Sequence, residues 1–237
     1  MIPLSDENPT QSRPYVTYAL VAINIAVYLY QLTLGSRAEG FIAACAFVPA
    51  ELVTGQDLPP PTCVHPLWLT IFTSMFMHGG LLHIASNMLF LWIFGNNVED
   101  AMGPIKYFFF YIVGGIAALA LQVAINPNEV APTLGASGAI AAVLGGYILL
   151  YPRARVLTLI FIILFFTVVE LPAIVVLGFW FATQIAFGAA GLTSPGAAGG
   201  VAYFAHIGGF IFGLATVKLL ATRRRELRGP PGANPVY

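Results

Sequence analysis

Residues 135–150 read GASGAIAAVLGGYILL, a stretch that has no charged side chain and consists mainly of small and aliphatic residues. The surrounding chain of 237 residues is 58% hydrophobic and only 8% charged. A soluble domain of this length cannot bury that much apolar surface, so the composition indicates an integral membrane protein. The apolar runs are unbroken instead of alternating with polar residues, which favours membrane-spanning helices over a closed β-barrel.

Six apolar segments predict an all-α fold, a bundle of six transmembrane helices. The fourth segment is short and rich in Gly and Ala, which is typical of a central helix that its neighbours pack against closely. The predicted spans are residues 16–34, 80–98, 105–125, 137–151, 172–189 and 201–221.

Charge decides the number of spans, because the apolar stretch 155–189 is long enough for two. Six spans with both termini in the cytoplasm leave only Arg37 of the ten Lys and Arg residues on the outer side. Seven spans would move the C-terminal basic residues outside, against the positive-inside rule. We therefore expect residues 156–169 to lie along the inner membrane interface, or to dip into it, without crossing.

The predicted organisation is a cytoplasmic segment 1–15, a membrane domain 16–221 and a basic cytoplasmic tail 222–237 near lipid headgroups. The first segment carries charges and lacks a short apolar core with a cleavage site, so no cleavable signal peptide is expected. The expected location is a bacterial cytoplasmic (inner) membrane. The formal net charge is zero, which gives no indication of a nucleic-acid partner.

Both cysteines of the chain, Cys45 and Cys63, fall in the predicted outer loop 35–79. Disulfide bonds persist on the outer side of a membrane. The sequence does not fix the distance between the two side chains. A disulfide between them and a pair of buried thiols therefore both stay open from the sequence alone.

Four polar residues within the predicted spans fall at one depth. The second, fourth and sixth spans run from the outer side to the inner side, so polar residues near their beginnings lie in the outer half of the membrane. Polar side chains are costly in hydrocarbon and tend to be functional there, and unrelated packing residues would scatter over both halves. The four residues are His83, Asn87, Ser137 and His206.

His206 is predicted to reach Ser137 across a close helix contact. Gly209 and Gly213 are four residues apart, a spacing that lets the backbone of another helix approach. If that helix is the fourth span, the His206 imidazole can take the proton of the Ser137 hydroxyl and activate it as a nucleophile.

We expect a Ser–His dyad with no acidic third member, because no carboxylate is predicted at the depth of His206. Glu99, Asp100 and Glu170 are predicted near the inner face. A tetrahedral oxyanion needs hydrogen-bond donors aimed at it. The Ser137 backbone N–H, the Asn87 amide and the His83 ring are the candidate donors. His78 is expected to order the outer loop through hydrogen bonds.

Together these residues resemble the motifs of the rhomboid family of intramembrane serine proteases. The resemblance extends over about residues 16–221 in the number and order of spans. The motifs are Gly135-Ala136-Ser137-Gly138, then His78, His83 and Asn87 in the arrangement HxxxxHxxxN, and AHxxGxxxG from Ala205 to Gly213.

The resemblance implies a six-helix fold with a water-filled cavity open to the outer side. It implies Ser137 as the nucleophile and His206 as the base, with His83 and Asn87 as oxyanion donors. Substrates would be transmembrane proteins cut in or near their spans, with small residues near the scissile bond; no metal and no cofactor is expected. Structural roles near the site are expected for His78, Gly135, Gly138, Gly209 and Gly213.

Two positions depart from the family pattern. Many relatives carry a Trp-Arg pair in the first outer loop, whereas here Trp68 is followed by Leu69. Some relatives have an aromatic residue four positions after the serine, stacked under the histidine, and here that position is Ala141. His206 must therefore be oriented by another group.

Other functions stay open when each residue is taken alone. Ser137 is compatible with a helix N-cap, and His206 with a buried core histidine or a proton relay. The competing functions are a small-solute transporter and a non-catalytic protein that binds membrane clients. No internal repeat supports a transporter, and the absence of an HExxH motif argues against a metalloprotease.

Overall fold

The chain folds as a mostly helical protein whose helices follow the predicted spans. A computed structural model describes residues 1–59, 61–162, 165–193 and 200–222. Short 3₁₀ turns at Gly35–Arg37 and Leu67–Leu69 lie in the first outer loop. The α-helices of the described residues are α1 (Tyr15–Thr33), α2 (Ala38–Cys45), α3 (Pro49–Thr54), α4 (Thr70–Ser74), α5 (Leu81–Met102), α6 (Pro104–Ile125), α7 (Ser137–Leu150), α8 (Ala173–Thr193) and α9 (Tyr203–Leu220).

Five of the described helices, α1, α5, α6, α8 and α9, are long and apolar enough to cross a membrane. Helix α7 is also apolar but has only 14 residues. Each predicted span overlaps one of these six helices. The largest differences are at 80–98, where α5 continues to Met102, and at 172–189, where α8 continues to Thr193. Residues 194–199 of the third outer loop and 223–237 of the basic tail lie outside the described residues.

Helix α7 lies at the centre of the bundle, in contact with α5, α6, α8 and α9. Every residue from Gly138 to Tyr147 is buried. A Cβ atom on Gly209 would overlap the Gly138 carbonyl oxygen, and one on Gly213 would overlap the Ala142 carbonyl oxygen. The glycines of α9 therefore allow direct backbone contact with α7, as their spacing predicts.

A three-stranded antiparallel sheet corrects the prediction of an all-α fold. Its strands are β1 (Ile2–Asp6), β2 (Arg155–Ile162) and β3 (Phe165–Pro172), in the order β1-β2-β3. The described residues of the segment 156–169 thus form paired strands. The segment is rich in Val, Ile, Thr and Phe, which favour strands once a partner is present, and β1 supplies that partner from the distant N-terminus.

Two adjacent carboxylates of α5 hold the N-terminal segment against the helices. The Glu99 carboxylate accepts hydrogen bonds from the Val16 and Thr17 N–H groups over 2.9 and 2.7 Å. These N–H groups lie in the first turn of α1, where a helix lacks internal acceptors and favours negative charge. The Asp100 carboxylate accepts from the N–H groups of Gln11 and Ser12, each over 3.0 Å. Residues 1–15 therefore pack on the helical domain.

The strand β1 also contacts the C-terminal half of α7. The Tyr147 hydroxyl donates to Asp6 Oδ2 over 2.6 Å, and the Asn97 amide donates to the same oxygen over 2.9 Å. One carboxylate thus joins β1, α5 and α7 at the end of the bundle away from Ser137.

The first outer loop is bonded to the segment that leads into α7. Cys45 and Cys63 form a disulfide with their Cα atoms 5.2 Å apart, so of the two alternatives left by the sequence the structure contains the bond. The Thr73 hydroxyl donates to the Cys45 carbonyl over 2.8 Å. Phe47 and Thr133 pair as an antiparallel bridge just before the motif that contains the serine. These contacts fix the loop over the start of α7.

Candidate active site

Ser137 and His206, which are 69 residues apart in the chain, meet in the structure. Ser137 begins α7 and His206 lies in the first turn of α9. The His206 Nε2 atom lies 2.8 Å from Ser137 Oγ, a hydrogen-bonding distance. This geometry suits proton transfer from the hydroxyl to the imidazole.

Gly135 makes room for His83 beside the serine. Its φ of +119° is a conformation that residues with a Cβ rarely adopt. Its N–H donates to the Ser74 carbonyl over 2.8 Å, which holds the turn before α7. A Cβ atom at this position would lie 2.7 Å from His83 Nε2 and 3.7 Å from Ser137 Oγ. A larger residue would therefore displace the His83 ring from Ser137.

Asn87 lies one helical turn after His83 on α5 and is only 5% exposed. Its Nδ2 group donates to the His83 carbonyl over 3.0 Å. This bond uses one of the two amide hydrogens and leaves the other for a further acceptor.

One cavity of about 1340 Å³ is lined by His83, Asn87, Ser137 and His206. These residues lie within the first two turns of α5, α7 and α9, so the N-terminal ends of three helices converge there. The N–H groups of a first helical turn lack intrahelical acceptors, and the helix dipole is positive at that end. The cavity therefore favours a negative charge that develops next to Ser137.

Helix α8 contacts the side of the His206 ring away from the serine. Gln184 Oε1 lies 2.8 Å from His206 Nδ1. The Trp180 ring is centred 5.8 Å from the imidazole and tilted by 35° to it. Trp180 and Gln184 thus contact the imidazole, whereas Ala141 has no aromatic ring that could stack on it.

Gln184 is the site residue that sequence reasoning did not single out. It is 7% exposed and lies in the otherwise apolar predicted span 172–189. An amide buried in such a span costs free energy unless it has a hydrogen-bond partner. This cost marks Gln184 in the sequence as a candidate functional residue. The position of its partner, 22 residues further along the chain, required the fold.

Carboxylates of the described residues hydrogen-bond to groups other than His206. Glu129 lines the same cavity and accepts from the Ala131 N–H over 3.0 Å. Glu99 and Asp100 bind the N-terminal segment. Glu170 pairs with Arg155 over 2.9 Å on the sheet. The hydrogen-bond partners of the His206 ring are Ser137 and the neutral amide of Gln184.

His78 lies just before α5 and is 1% exposed. Its N–H donates to Gln31 Oε1 and its carbonyl accepts from Gln31 Nε2, each over 3.1 Å. Its ring meets the His83 ring edge-on, with 5.1 Å between the centres. Burial, followed by the charge of His83, lowers the pKa of His78 from 6.5 to about 4. His78 thus joins α1 to α5 through its backbone and places a neutral ring behind His83.

Known proteins with similar sequences share one domain type. The Rhomboid domain family matches residues 65–223 of this chain. The mitochondrial Rhomboid protein 1 of Saccharomyces cerevisiae is 31% identical over 206 residues, or 84% of this chain and 51% of the yeast protein. Rhomboid protease GluP of Bacillus subtilis is 29% identical over 135 residues, or 56% of this chain and 24% of the relative.

A third relative, rhomboid protease AarA of Providencia stuartii, is 34% identical over 107 residues, which are 44% of this chain and 34% of that protein. The chain therefore spans about half the length of the yeast relative and smaller shares of the two bacterial ones. The region matched by the family contains all of His78, His83, Asn87, Ser137 and His206.

Acidification is expected to destabilise the fold through His78. Because its folded pKa is depressed from 6.5 to about 4, its contribution to stability is complete above pH 6.5 and is lost as the pH falls towards 4. The loss amounts to about 2 kcal/mol at about pH 5. Thermal unfolding in detergent checks this: the Tm of His78→Leu should fall less than that of the wild type between about pH 7 and about pH 5.

His65→Gln is the matched control, since the His65 side chain is 62% exposed in the same loop and its 3.5 Å contact with Asp57 is a surface pair, which contributes little to stability. It should follow the wild-type pH dependence. Equal pH dependence of the wild type and His78→Leu would contradict the assignment.

Proposed function

Because the chain belongs to the rhomboid family, we propose that it is an intramembrane serine endopeptidase that cleaves transmembrane segments of membrane proteins. The observation that carries this proposal is the 2.8 Å contact between Ser137 Oγ and His206 Nε2 at the wall of a large cavity. Two of its relatives are named as rhomboid proteases, which supports the same activity.

The reaction follows from the Ser–His pair. Ser137 Oγ attacks the carbonyl carbon of the scissile peptide bond while His206 Nε2 takes the hydroxyl proton. The tetrahedral intermediate then collapses, the C–N bond breaks, and His206 donates the proton to the leaving amine. A water molecule hydrolyses the resulting ester, with His206 again acting as the base.

The oxyanion of the intermediate forms where the starts of three helices converge. The Ser137 N–H is a first-turn group of α7, and such groups donate to anions. The second amide hydrogen of Asn87 and the His83 ring complete the proposed donor set. Donors held in place before the reaction stabilise the developing charge without a reorganisation cost.

The proposed topology counts α7 as a sixth span. Its length is ~21 Å at ~1.5 Å per residue, less than the ~30 Å thickness of a hydrocarbon core. Since α5, α6, α8 and α9 surround α7, it need not meet lipid at either end, and the cavity takes up the remaining depth. An even number of spans places both termini on the same side, and the Lys and Arg residues near the C-terminus favour the cytoplasmic side, here proposed to be that of a bacterial inner membrane.

We assign the hairpin of β2 and β3 to the inner interface of the membrane. Phe161, Phe165 and Phe166 are exposed by 61%, 77% and 72%. Residues 156–169 contain no charged side chain, and β3 leads directly into α8. Aromatic side chains concentrate at membrane–water interfaces, so lipid is the proposed partner of this exposed apolar surface.

The proposed substrate class is a transmembrane segment that can leave its helical form. A peptide bond inside a regular helix is screened by the helix backbone, so a segment that unwinds locally presents its carbonyl to Ser137 more readily. A preference for small side chains near the scissile bond is proposed by analogy with the rhomboid family.

A serine-directed fluorophosphonate probe tests the activity. The detergent-solubilised protein should be labelled at Ser137, because His206 activates that hydroxyl, and it should cleave a reporter single-pass substrate. Ser137→Ala should lose both labelling and cleavage. Ser36→Ala, which changes an exposed serine of the outer loop, should keep both.

A transporter or a non-catalytic client-binding protein would leave the wild type unlabelled and the reporter intact. Either result for correctly folded protein would exclude the proposed hydrolysis.

Removal of the Asn87 amide should slow turnover. Asn87→Ala is expected to reduce kcat by ~10²-fold because one oxyanion donor is lost, while KM changes little because this donor acts mainly on the transition state. Steady-state kinetics with the reporter substrate in liposomes measure both constants. Wild-type kcat in the double variant Asn87→Ala/His83→Ala would remove both side chains from the oxyanion site.

The depth of the hairpin can be measured with a spin label. The two native cysteines are joined in a disulfide, so Phe166→Cys introduces the single free thiol. In liposomes this label should collide more often with oxygen, which enters the bilayer, than with a polar nickel chelate. Arg153→Cys, an exposed site just before β2, should show the opposite order. Preferential access of nickel to position 166 would place the hairpin in water.

A further inference from the structure

The buried amide of Gln184 holds the imidazole of the proposed dyad. Gln184 Oε1 lies 2.8 Å from His206 Nδ1, on the edge of the ring opposite the Nε2 atom that meets Ser137. We propose that Gln184 is a positioning residue that sets both the tautomer and the orientation of His206. The site is then a Ser–His–Gln triad whose third member is neutral. This assignment rests on the proposed protease function.

The hydrogen bonds of Gln184 determine which way its amide points. Its Nε2 group donates to the Trp180 carbonyl and to the Thr183 hydroxyl oxygen, each over 3.1 Å. A carbonyl oxygen only accepts hydrogen bonds, so the NH₂ end of the amide must face Trp180. The Oε1 end, which only accepts, must then face His206.

This amide orientation fixes the proton on the histidine. Because Gln184 Oε1 only accepts, His206 Nδ1 must carry the hydrogen and donate it. The neutral ring then has its lone pair on Nε2, directed at the Ser137 hydroxyl. That tautomer is the one a general base requires, and the alternative tautomer would place a hydrogen between Nε2 and the serine.

The amide continues to act after proton transfer. When His206 takes the serine proton, both ring nitrogens carry hydrogens. The hydrogen bond from Nδ1–H to Gln184 Oε1 is then charge-assisted and shortens, and neither side chain has to change its orientation. An amide oxygen contributes a dipole where a carboxylate would contribute a full charge, so Gln184 orients the ring and stabilises the cation only modestly.

The other side chains around the imidazole do not set its tautomer. The Trp180 and Tyr203 rings are centred 5.8 and 6.4 Å from the imidazole and restrict its tilt by packing. His83 on α5 is not a hydrogen-bond partner of this ring within the part of the chain that the structure describes. Among the described residues, Gln184 is the one that hydrogen-bonds to Nδ1.

The decisive experiment compares Gln184→Met and Gln184→Glu with the wild type. The enzyme is reconstituted in liposomes with a reporter single-pass substrate, and kcat and KM are measured across the pH range in which histidine titrates. Gln184→Met keeps the volume but removes the acceptor, so kcat should fall by about 10- to 100-fold at constant KM.

Gln184→Glu keeps an acceptor and adds a negative charge beside the ring. Its kcat should stay within about tenfold of the wild type at high pH. The acidic limb of its kcat–pH profile should move to higher pH, because the carboxylate favours the protonated ring. This displacement requires direct contact between position 184 and the His206 ring, whereas a side chain that acts only on the packing of α8, away from the ring, would leave the acidic limb in place. Ile185→Ala is the matched control, since Ile185 is the next residue of α8 and is 48% exposed; its kcat and pH profile should equal those of the wild type.

The outcomes separate the two proposals. An active wild type with an unchanged kcat in Gln184→Met, or with an unshifted acidic limb in Gln184→Glu, overturns the positioning role and leaves the protease intact. If Gln184→Met fails to fold, the pH profile of Gln184→Glu decides alone. A wild type that neither cleaves the reporter nor reacts with a fluorophosphonate overturns the proposed function itself.

Discussion

The backbone contact between α7 and α9 is the constraint on which the candidate site depends. Gly209 meets the Gly138 carbonyl so closely that a single methyl group on Gly209 would push the two helices apart. Within a bilayer, apolar side chains gain little by exchanging lipid for another helix, so close packing of small residues drives helix association. The contact that stabilises the centre of the bundle therefore also brings Ser137 and His206 within 2.8 Å.

The proposed reactive groups and the groups that orient them lie on different helices. α5, α7 and α9 present their polar residues from their first two turns, near the helix ends whose dipoles favour negative charge. α8 instead contacts the far side of His206 through Trp180 and Gln184. β3 runs directly into α8, and these two residues lie near the middle of that helix.

The sequence predicts the helical spans well because uninterrupted apolar runs constrain the backbone to satisfy its own hydrogen bonds. The shared depth of Ser137 and His206 follows from the same spans. The sheet escapes prediction because its apolar strands pair with Ile2–Asp6, more than 140 positions away in the chain, and local patterns do not encode such pairing. Gln184 is visible as an isolated amide in an apolar span, but its partner depends on how α8 and α9 pack.

Cleavage by a His206→Ala variant shows whether the imidazole activates Ser137. The variant and the wild type are reconstituted at equal amounts in liposomes with a reporter single-pass substrate, and equal Tm values establish that both are folded. Because Ser137 then lacks its base, we expect no product above the level of a Ser137→Ala enzyme. Cleavage by folded His206→Ala at a rate near that of the wild type would show that His206 is not the base.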